Sequence, residues 1–249
     1  MTDSDRTGRV CVFCGGKPVS SEHVWSDWIT KLFAQIGTVN VNFTWGASWK
    51  TAKLDLRVNR VCTRCNNDWM NDLETQVRPF LEPMVLGKPV VISPADQHAL
   101  AQWAMKTFLM HDLCHPDDPL PLSQFRSFFH TRTPPTDSII WVAAYGGRKL
   151  AAQGLARGLA YTRRPAIDLP PETAYLYLGT FLAGAAMFQL LMHVGGGNAV
   201  PPVRSPFRLR AFRGIWPPLG EPISWPPSNV AFDNGAFQAV MRGVDLFGD

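Results

Sequence analysis

The chain has 249 residues, of which 46% are hydrophobic and 18% charged, so it has enough apolar side chain for a core and is not disordered by composition. This length fits one large domain or two small ones, and it excludes a zinc-only module. The net charge of +4, from 24 Lys and Arg against 20 Asp and Glu, is mildly basic. This charge is compatible with a nucleic-acid partner but does not by itself indicate one. The positions of the charged residues in the sequence are therefore needed to judge this.

The first third of the chain is predicted to alternate between helix and strand. A short amphipathic helix is expected within residues 26–37, with a serine as N-cap and a glycine as stop. Apolar residues alternate at period two over residues 39–45 and 54–58, which predicts two paired strands. After Cys65 the sequence NNDWMNDLETQV predicts a second helix that ends at Pro79. A strand pair followed by a helix is thus expected.

The rest of the chain has the pattern of a mixed α and β region. Ser93 as N-cap and Asp96 in the first turn predict a helix over residues 94–113. Proline-rich breaks follow, and between them residues 138–145 and 174–181 have the composition of strands. We find no internal repeat.

Targeting and membrane signals are weak. The first ten residues, MTDSDRTGRV, lack the apolar segment of a secretory signal. Residues 173–194 have no formally charged residue and are nearly long enough to span a bilayer. Polar residues interrupt this stretch, however, and Tyr175 and Tyr177 alternate with leucines as strand residues do. We therefore expect strands there and no membrane partner.

Cysteine spacing gives the strongest local signal. Five cysteines are too few for a disulfide scaffold, and four of them form two Cys-x-x-Cys pairs, which favours metal binding in a reducing, cytoplasmic compartment. The pairs supply the four thiolates of one tetrahedral structural Zn²⁺ site. They are Cys11 with Cys14 and Cys62 with Cys65. Four unrelated buried cysteines are the alternative, which the repeated spacing disfavours.

The residues around these pairs resemble a known family. The tripeptide EHV at residues 22–24 lies between the pairs, and the second pair continues into NNDWM at residues 66–70. The order Cys-x-x-Cys, Glu-His-Val, Val-Cys-x-x-Cys-Asn-x-x-Trp-Met-x-x-Leu-Glu, over residues 10–74, resembles the HNH endonuclease superfamily in its zinc-stapled form. The resemblance implies a ββα-metal fold, in which two strands and a helix hold one divalent cation against a scissile phosphate.

The expected fold class is therefore α+β, with two domains. Residues 1–80 would form an HNH-like ββα-metal nuclease domain stapled by a four-cysteine zinc site. Residues 81–249 would form a mixed α/β accessory domain.

The resemblance also implies roles for single residues. His23 would be the general base, and Glu22 would take the metal-ligand position just before it. Asn66, at the start of the helix after the last cysteine, would be the second metal ligand. Asn59 would be the middle asparagine of the family. A proline commonly follows the family's histidine by three positions, where this chain has Ser26.

These residue types suit phosphodiester hydrolysis, which needs a base to activate water and a cation to neutralise charge on the phosphate. An imidazole is largely neutral near pH 7 and can accept a proton. Carboxylate and amide oxygens suit Mg²⁺ or Mn²⁺ better than Zn²⁺. Glu74 lies two helical turns after Asn67 and could support such a metal, and a solvated glutamate is the ordinary alternative.

The C-terminal region has one charge feature of interest. No Asp or Glu occurs between Glu172 and Glu221, whereas arginines cluster in the segment PVRSPFRLRAFRG. An extended backbone would place Arg208 and Arg210 on one face, where they could contact phosphates of a nucleic acid. An ordinary solvated edge strand explains them equally well.

The sequence thus predicts a metal-dependent HNH-type endonuclease that cleaves DNA. One alternative is a non-catalytic, zinc-stapled nucleic-acid-binding module. Another is an effector whose nuclease is governed by a sensor in the C-terminal region.

Overall fold

A computed structural model gives the fold of most of the chain. It describes residues 10–17, 19–36, 39–42, 48–51, 56–114, 120–147, 154–159, 175–195, 211–227, 231–233, 235–236 and 240. These residues form helices and antiparallel sheets. The predicted α+β class is therefore confirmed.

A two-stranded antiparallel sheet organises the first part of the chain. It pairs β1 (Val19–His23) with β4 (Arg57–Cys62), and its register shifts between Ser20 and Glu22. Val19 lies opposite Cys62. Because the first cysteine pair precedes β1 and the second begins at the end of β4, this register brings both pairs to one end of the sheet.

A helix and a second hairpin lie between these two strands. The predicted amphipathic helix is confirmed as α1 (Asp27–Ile36). β2 (Val39–Asn42) pairs with β3 (Ser48–Thr51). The expected pairing of residues 39–45 with residues 54–58 is wrong, since the later strand is β4 and its partner is β1. Period-two alternation identifies strands but not their partners.

One helical run begins within the second cysteine pair, directly after Cys62. It consists of α2 (Thr63–Cys65), a π-helical turn (Asn66–Met70) and α3 (Asn71–Val85). The prediction that this helix ends at Pro79 is wrong, because Pro79 and Pro83 both lie inside α3. An interior proline costs about 3 kcal/mol, whereas each fully buried large apolar side chain contributes about 1.5–3 kcal/mol. Six such side chains of α3 are buried: Leu73, Val77, Phe80, Leu81, Met84 and Val85.

The predicted helix of the second part is confirmed as α4 (Pro94–Asp112). Its N-terminus carries a capping box, in which the Ser93 hydroxyl accepts the backbone N–H of Asp96 at 3.2 Å. The Asp96 carboxylate accepts the backbone N–H of Ser93 at 3.1 Å in return. A shorter helix, α5 (Leu122–Thr131), follows α4 in the chain.

A five-stranded antiparallel sheet packs against α4. Its strand order is β10-β6-β9-β8-β7. The strands are β6 (Ser138–Ala144), β7 (Gly154–Leu159), β8 (Tyr175–Ala183), β9 (Ala186–Val194) and β10 (Phe212–Trp216). A separate pair joins β5 (Val90–Ile92) to β11 (Ile223–Trp225).

The apolar stretch at residues 173–194 contains β8 and β9, which confirms the expectation of strands. All nine residues of β9 are buried, so both faces of the sheet are shielded from water at this strand. A strand buried on both faces needs an apolar sequence throughout. Among the described helices, none has both the length and the apolar composition of a membrane span.

The two parts share one hydrophobic core. Trp25, just after β1, lies 6.5 Å from Trp103 of α4 and 5.5 Å from Phe181 of β8, measured between ring centroids. Trp103 also contacts Phe188 of β9 at 5.4 Å. These residues belong to a single cluster of buried side chains. Helix α3 crosses residue 80, where the domain boundary was expected, without a break.

Candidate metal and active site

The four paired cysteines come together as predicted. Their Sγ atoms all lie within 4.8 Å of one another, with Cys11 to Cys65 at 3.8 Å and Cys14 to Cys62 at 3.5 Å. Tetrahedral Zn²⁺ with Zn–S bonds of about 2.3 Å places its sulfurs about 3.8 Å apart. The donor set and its spacing therefore fit a metal ion such as zinc.

Backbone groups around the cluster favour thiolates. The N–H of Gly16 donates to Cys14 Sγ at 3.3 Å, and the N–H of Cys65 donates to Cys62 Sγ at 3.5 Å. Gly15 turns the chain here with φ of 73°, in the left-handed region where a side chain is strained. Such N–H donors stabilise negative sulfur.

The thiols of the cluster also shift one another's ionisation. The hydrogen bond between Cys65 and Cys11 lowers the pKa of Cys11 to about 4. The same hydrogen bond raises the pKa of Cys65, and burial raises the pKa of Cys62. A divalent cation at the centre would favour the thiolate form of all four.

The structure also has a cleft of about 390 Å³. Its lining includes His23 at the end of β1, Asn66 and Glu74 of the helical run, and Lys106 of α4. His23 and Asn66 were predicted as site residues from the sequence. The structure brings them to one surface although the whole of α1 and three strands separate them in the chain.

The helical run presents a row of oxygen donors to the cleft. Asn67, Asn71 and Glu74 follow one another at intervals of four and three residues, and all line the cleft with Asn66. Those intervals place side chains on one helix face. Asn66 and Asn67 lie in the π-helical turn, an uncommon feature that occurs frequently at functional sites.

Glu74 is part of a buried ion pair and is not a solvated glutamate. Its Oε1 lies 2.7 Å from Lys106 Nζ, and the two side chains are only 16% and 4% exposed. Removing one partner of a buried pair costs about 3–5 kcal/mol, whereas apolar replacement of both is often neutral. The pair is therefore a poor source of stability, and its place in the cleft suggests another role.

Two further cations lie at the rim of the cleft. Lys31 pairs with Asp27 at 2.5 Å, and Arg78 pairs with Glu82 at 3.0 Å. The Lys31 and Arg78 side chains are 74% and 54% exposed, so these pairs contribute little stability. With Lys106 they give the cleft three cationic side chains against two carboxylates among its described lining residues, Asp27 and Glu74. This small excess of positive charge suits an anionic ligand such as a phosphodiester.

Glu22 is placed differently from His23. Adjacent strand residues point to opposite faces, and Glu22 is 7% exposed and accepts a hydrogen bond from the Ser20 hydroxyl. The Thr63 hydroxyl, next to Cys62, donates to Ser20 Oγ at 2.9 Å. The described residues that line the cleft do not include Glu22. Its role as a metal ligand beside Asn66 stays a prediction.

The remaining sequence-predicted residues are Asn59 and two arginines. Asn59 is exposed on β4 and is not among the described lining residues, so its catalytic role also stays a prediction. Arg208 and Arg210 lie outside the described residues. Their nucleic-acid contact is untested.

Sequence reasoning missed Lys106. Its signal was present, since Lys106 is the one formally charged residue between Asp96 and Asp112 in the sequence of α4. A lone lysine in the buried part of a helix needs a partner or a ligand. Nothing local identifies that partner, because Glu74 is on another helix.

Comparison with known proteins adds no further evidence. No family model, no curated protein and no solved structure matches the chain. The resemblance to the HNH superfamily therefore rests on the sequence pattern alone, and function has to be argued from the site.

Proposed function

We propose that this chain is a metal-dependent HNH-type endonuclease that hydrolyses phosphodiester bonds of DNA. The observation that carries the proposal is the cleft in which His23 and Asn66 lie with three cations. The antiparallel pair of β1 and β4, followed directly by the helical run, supports it as well. This is the order of elements that a ββα-metal unit requires.

His23 is the general base in this proposal. It accepts a proton from the attacking water, whose oxygen bonds to phosphorus while one P–O ester bond breaks. The leaving alkoxide takes a proton from solvent, so the atoms and charges balance. The position of His23 at the end of β1 holds its imidazole at the wall of the cleft. A positioned general base contributes about 10²- to 10⁴-fold in rate.

The oxygen donors of the helical run fit Mg²⁺ or Mn²⁺, which prefer hard ligands. Asn66, Asn67 and Asn71 line the cleft and would hold the ion, whereas the Glu74 carboxylate is held by Lys106. When bound, such an ion neutralises charge on the phosphate and on the departing oxygen. Glu22, the ligand implied by the resemblance, would have to turn away from Ser20 to join them.

Zn²⁺ has a structural role in the proposal, held by the four clustered cysteines. These cysteines lie at the end of the sheet where β1 begins and β4 ends. Closing this end fixes the strand that carries His23 relative to the helix that carries Asn66. Structural zinc of this kind contributes directly to folding.

A non-catalytic nucleic-acid-binding module is the second candidate. The burial of Glu22 and its bond with Ser20 favour it, since they leave the family's carboxylate ligand away from the cleft. Ser26, in place of the family's proline, points the same way. A sensor in the C-terminal region remains a third prediction, for which the described residues identify no ligand.

Plasmid cleavage distinguishes the first two candidates. Zinc-loaded protein is incubated with supercoiled plasmid in Mg²⁺ or Mn²⁺, beside His23→Ala and the matched control His130→Ala. His130 is exposed on α5 and lies outside the cleft. We expect nicked or linear product from the parent and His130→Ala only. Binding of DNA or RNA without cleavage in any divalent ion would favour the binding module.

A further inference from the structure

The Lys106 ammonium is a cation in the cleft to which the proposed hydrolysis assigns no task. Its side chain is 4% exposed and its Nζ lies 5.9 Å from the centre of the Trp103 ring. Among the described residues, Glu74 Oε1 is its hydrogen-bond acceptor, at 2.7 Å. An ammonium has three N–H donors, so two remain for a ligand in the cleft.

We propose that Lys106 contacts a non-bridging oxygen of the scissile phosphodiester and stabilises the negative charge of the transition state. This inference rests on the proposed nuclease function. Lys106 lines the same cleft as His23 and Asn66. Glu74 is then a positioning residue, because its carboxylate holds the ammonium in place.

Burial distinguishes Lys106 from the rim cations. Lys31 and Arg78 are mostly exposed, so water screens their charge. A charge held away from water acts more strongly on charge that develops nearby, and a group fixed in advance needs no reorganisation during the reaction. Of the three cations, Lys106 therefore has the position that suits transition-state stabilisation best.

The second part of the chain then completes the site. His23 and Asn66 come from the first part, and Lys106 comes from α4, which packs on the five-stranded sheet. α4 is thus more than a support for the nuclease unit.

Three variants test the assignment in the full-length, zinc-loaded chain. Glu74→Gln removes the positioning carboxylate and keeps the cation. Lys106→Met with Glu74→Gln removes the cation and leaves no unpaired buried charge, so this double variant is expected to fold. Lys88→Met makes the same change at an exposed lysine outside the cleft and is the matched control. Circular dichroism checks the fold of each, and the parent replaces Glu74→Gln as reference if that variant is unfolded.

Two readouts are measured: single-turnover plasmid cleavage in Mg²⁺, and affinity for a duplex oligonucleotide in Ca²⁺ over a range of salt concentrations. We expect the double variant to cleave about 10²- to 10³-fold more slowly than Glu74→Gln, the usual effect of losing one transition-state donor. Its slope of log affinity against log salt should be smaller by about 0.9, the value for one phosphate. Lys88→Met should match the parent in both.

Each contrary result has a defined meaning. An unchanged salt slope overturns the phosphate contact, and a reduced slope with an unchanged cleavage rate overturns the catalytic role. If the parent cuts no nucleic acid, the proposed function fails. The salt slope then still decides whether Lys106 contacts a phosphate.

Discussion

The two parts of this molecule are stabilised differently. The first part, residues 10–85, is built on two-stranded sheets and a cluster of four cysteines. A two-stranded sheet is marginal on its own in water. The second part has a five-stranded sheet with one strand buried along its whole length, packed on α4. We therefore expect the first part to depend on a metal at the cysteine cluster in addition to the shared core, and the second part to depend on that core alone.

The proposed chemistry lies where these parts meet. The weaker part carries His23 and Asn66, and the stronger part supplies Lys106 through α4. We expect a site at such a boundary to depend both on a metal held by the cysteines of one part and on the packing of the other. Variants on each side of the boundary separate these dependences.

Loss of the metal should have the largest effect. We expect one zinc per parent chain by elemental analysis, and Cys62→Ser should unfold the first part, because structural zinc contributes about 10–16 kcal/mol to folding. Hydrogen exchange should show β8 and β9 still protected.

The control is Cys114→Ser, a cysteine outside the cluster, which should keep its zinc. Less than half an equivalent of zinc in the parent, or a Cys62→Ser protein as stable as the parent, would contradict the assignment.

Disrupting the contact between the two parts should have the second-largest effect on stability. Gly184 has φ of 59° in the turn between β8 and β9, and a Cβ there would collide with the carbonyl oxygen of Val85 at the end of α3. That carbonyl accepts the N–H of Ala185 at 2.9 Å. Gly184→Ala should lower the free energy of unfolding by about 2–5 kcal/mol, from backbone strain plus the clash.

Gly220→Ala isolates the backbone strain in that measurement. Gly220 has φ of 80°, and apart from its chain neighbours no described residue has a heavy atom within 4 Å of the position that an alanine methyl would take. Only about 1–2 kcal/mol of the free energy of unfolding should therefore be lost. Equal losses for the two variants in urea unfolding would show that the turn does not dock tightly on α3.

Acid should weaken the shared core through His111. Burial against Trp25 and Phe181, and the charge of Lys106, lower the pKa of His111 to about 3. The unfolded chain takes up this proton below about pH 6.5, while the folded chain does not do so until about pH 3. Stability present at neutral pH is therefore lost as the pH falls through this window, by about 1.4 kcal/mol per unit.

Replacement of this histidine tests the effect. The His111 ring nitrogens have no hydrogen-bond partner among the described residues, so His111→Phe should fold. Between pH 7 and pH 5 the free energy of unfolding of His111→Phe, measured in urea, should fall by about 2 kcal/mol less than that of the parent. Exposed His130→Phe should behave like the parent. An identical pH dependence of the free energy of unfolding for the parent and His111→Phe would rule out His111 as a cause of the loss of stability in acid.

The smallest expected effect concerns the arginines predicted to bind nucleic acid. Replacing Arg208 and Arg210 with Ala should weaken duplex binding uniformly and reduce the salt slope by up to about two units. Hydrolysis itself should survive, because neither residue belongs to the proposed catalytic set. Full affinity with an unchanged slope would assign them to an ordinary solvated edge.

Local signals were sufficient for part of the fold. The Cys-x-x-Cys pairs and the capping box of α4 each depend on residues three apart, so the sequence contains the whole signal. The pairing of β1 with β4 depends on residues far apart, and the β1 sequence VSSEH has little apolar character. The continuation of α3 through Pro79 could not be predicted from local signals either. Tertiary packing of the helix outweighs the local cost of an interior proline.

The site divides in the same way. His23 and Asn66 were predicted because each adjoins a recognisable motif. Lys106 was not predicted, because its proposed role depends on the ion pair with Glu74, which lies on a different helix. Glu22 was predicted from the same motif as His23, but the structure does not bring its side chain to the described lining of the cleft. Neighbouring residues of a strand point to opposite faces, which the motif alone does not reveal.

The proposed activation of water by His23 can be checked by the single-turnover rate of plasmid cleavage by zinc-loaded His23→Ala. We predict a rate about 10²- to 10⁴-fold below that of the parent, with an unchanged zinc content. Added imidazole should restore part of the rate, because a free base can occupy the space that the side chain leaves. A His23→Ala protein that cuts as fast as the parent would refute the role of His23 as the base.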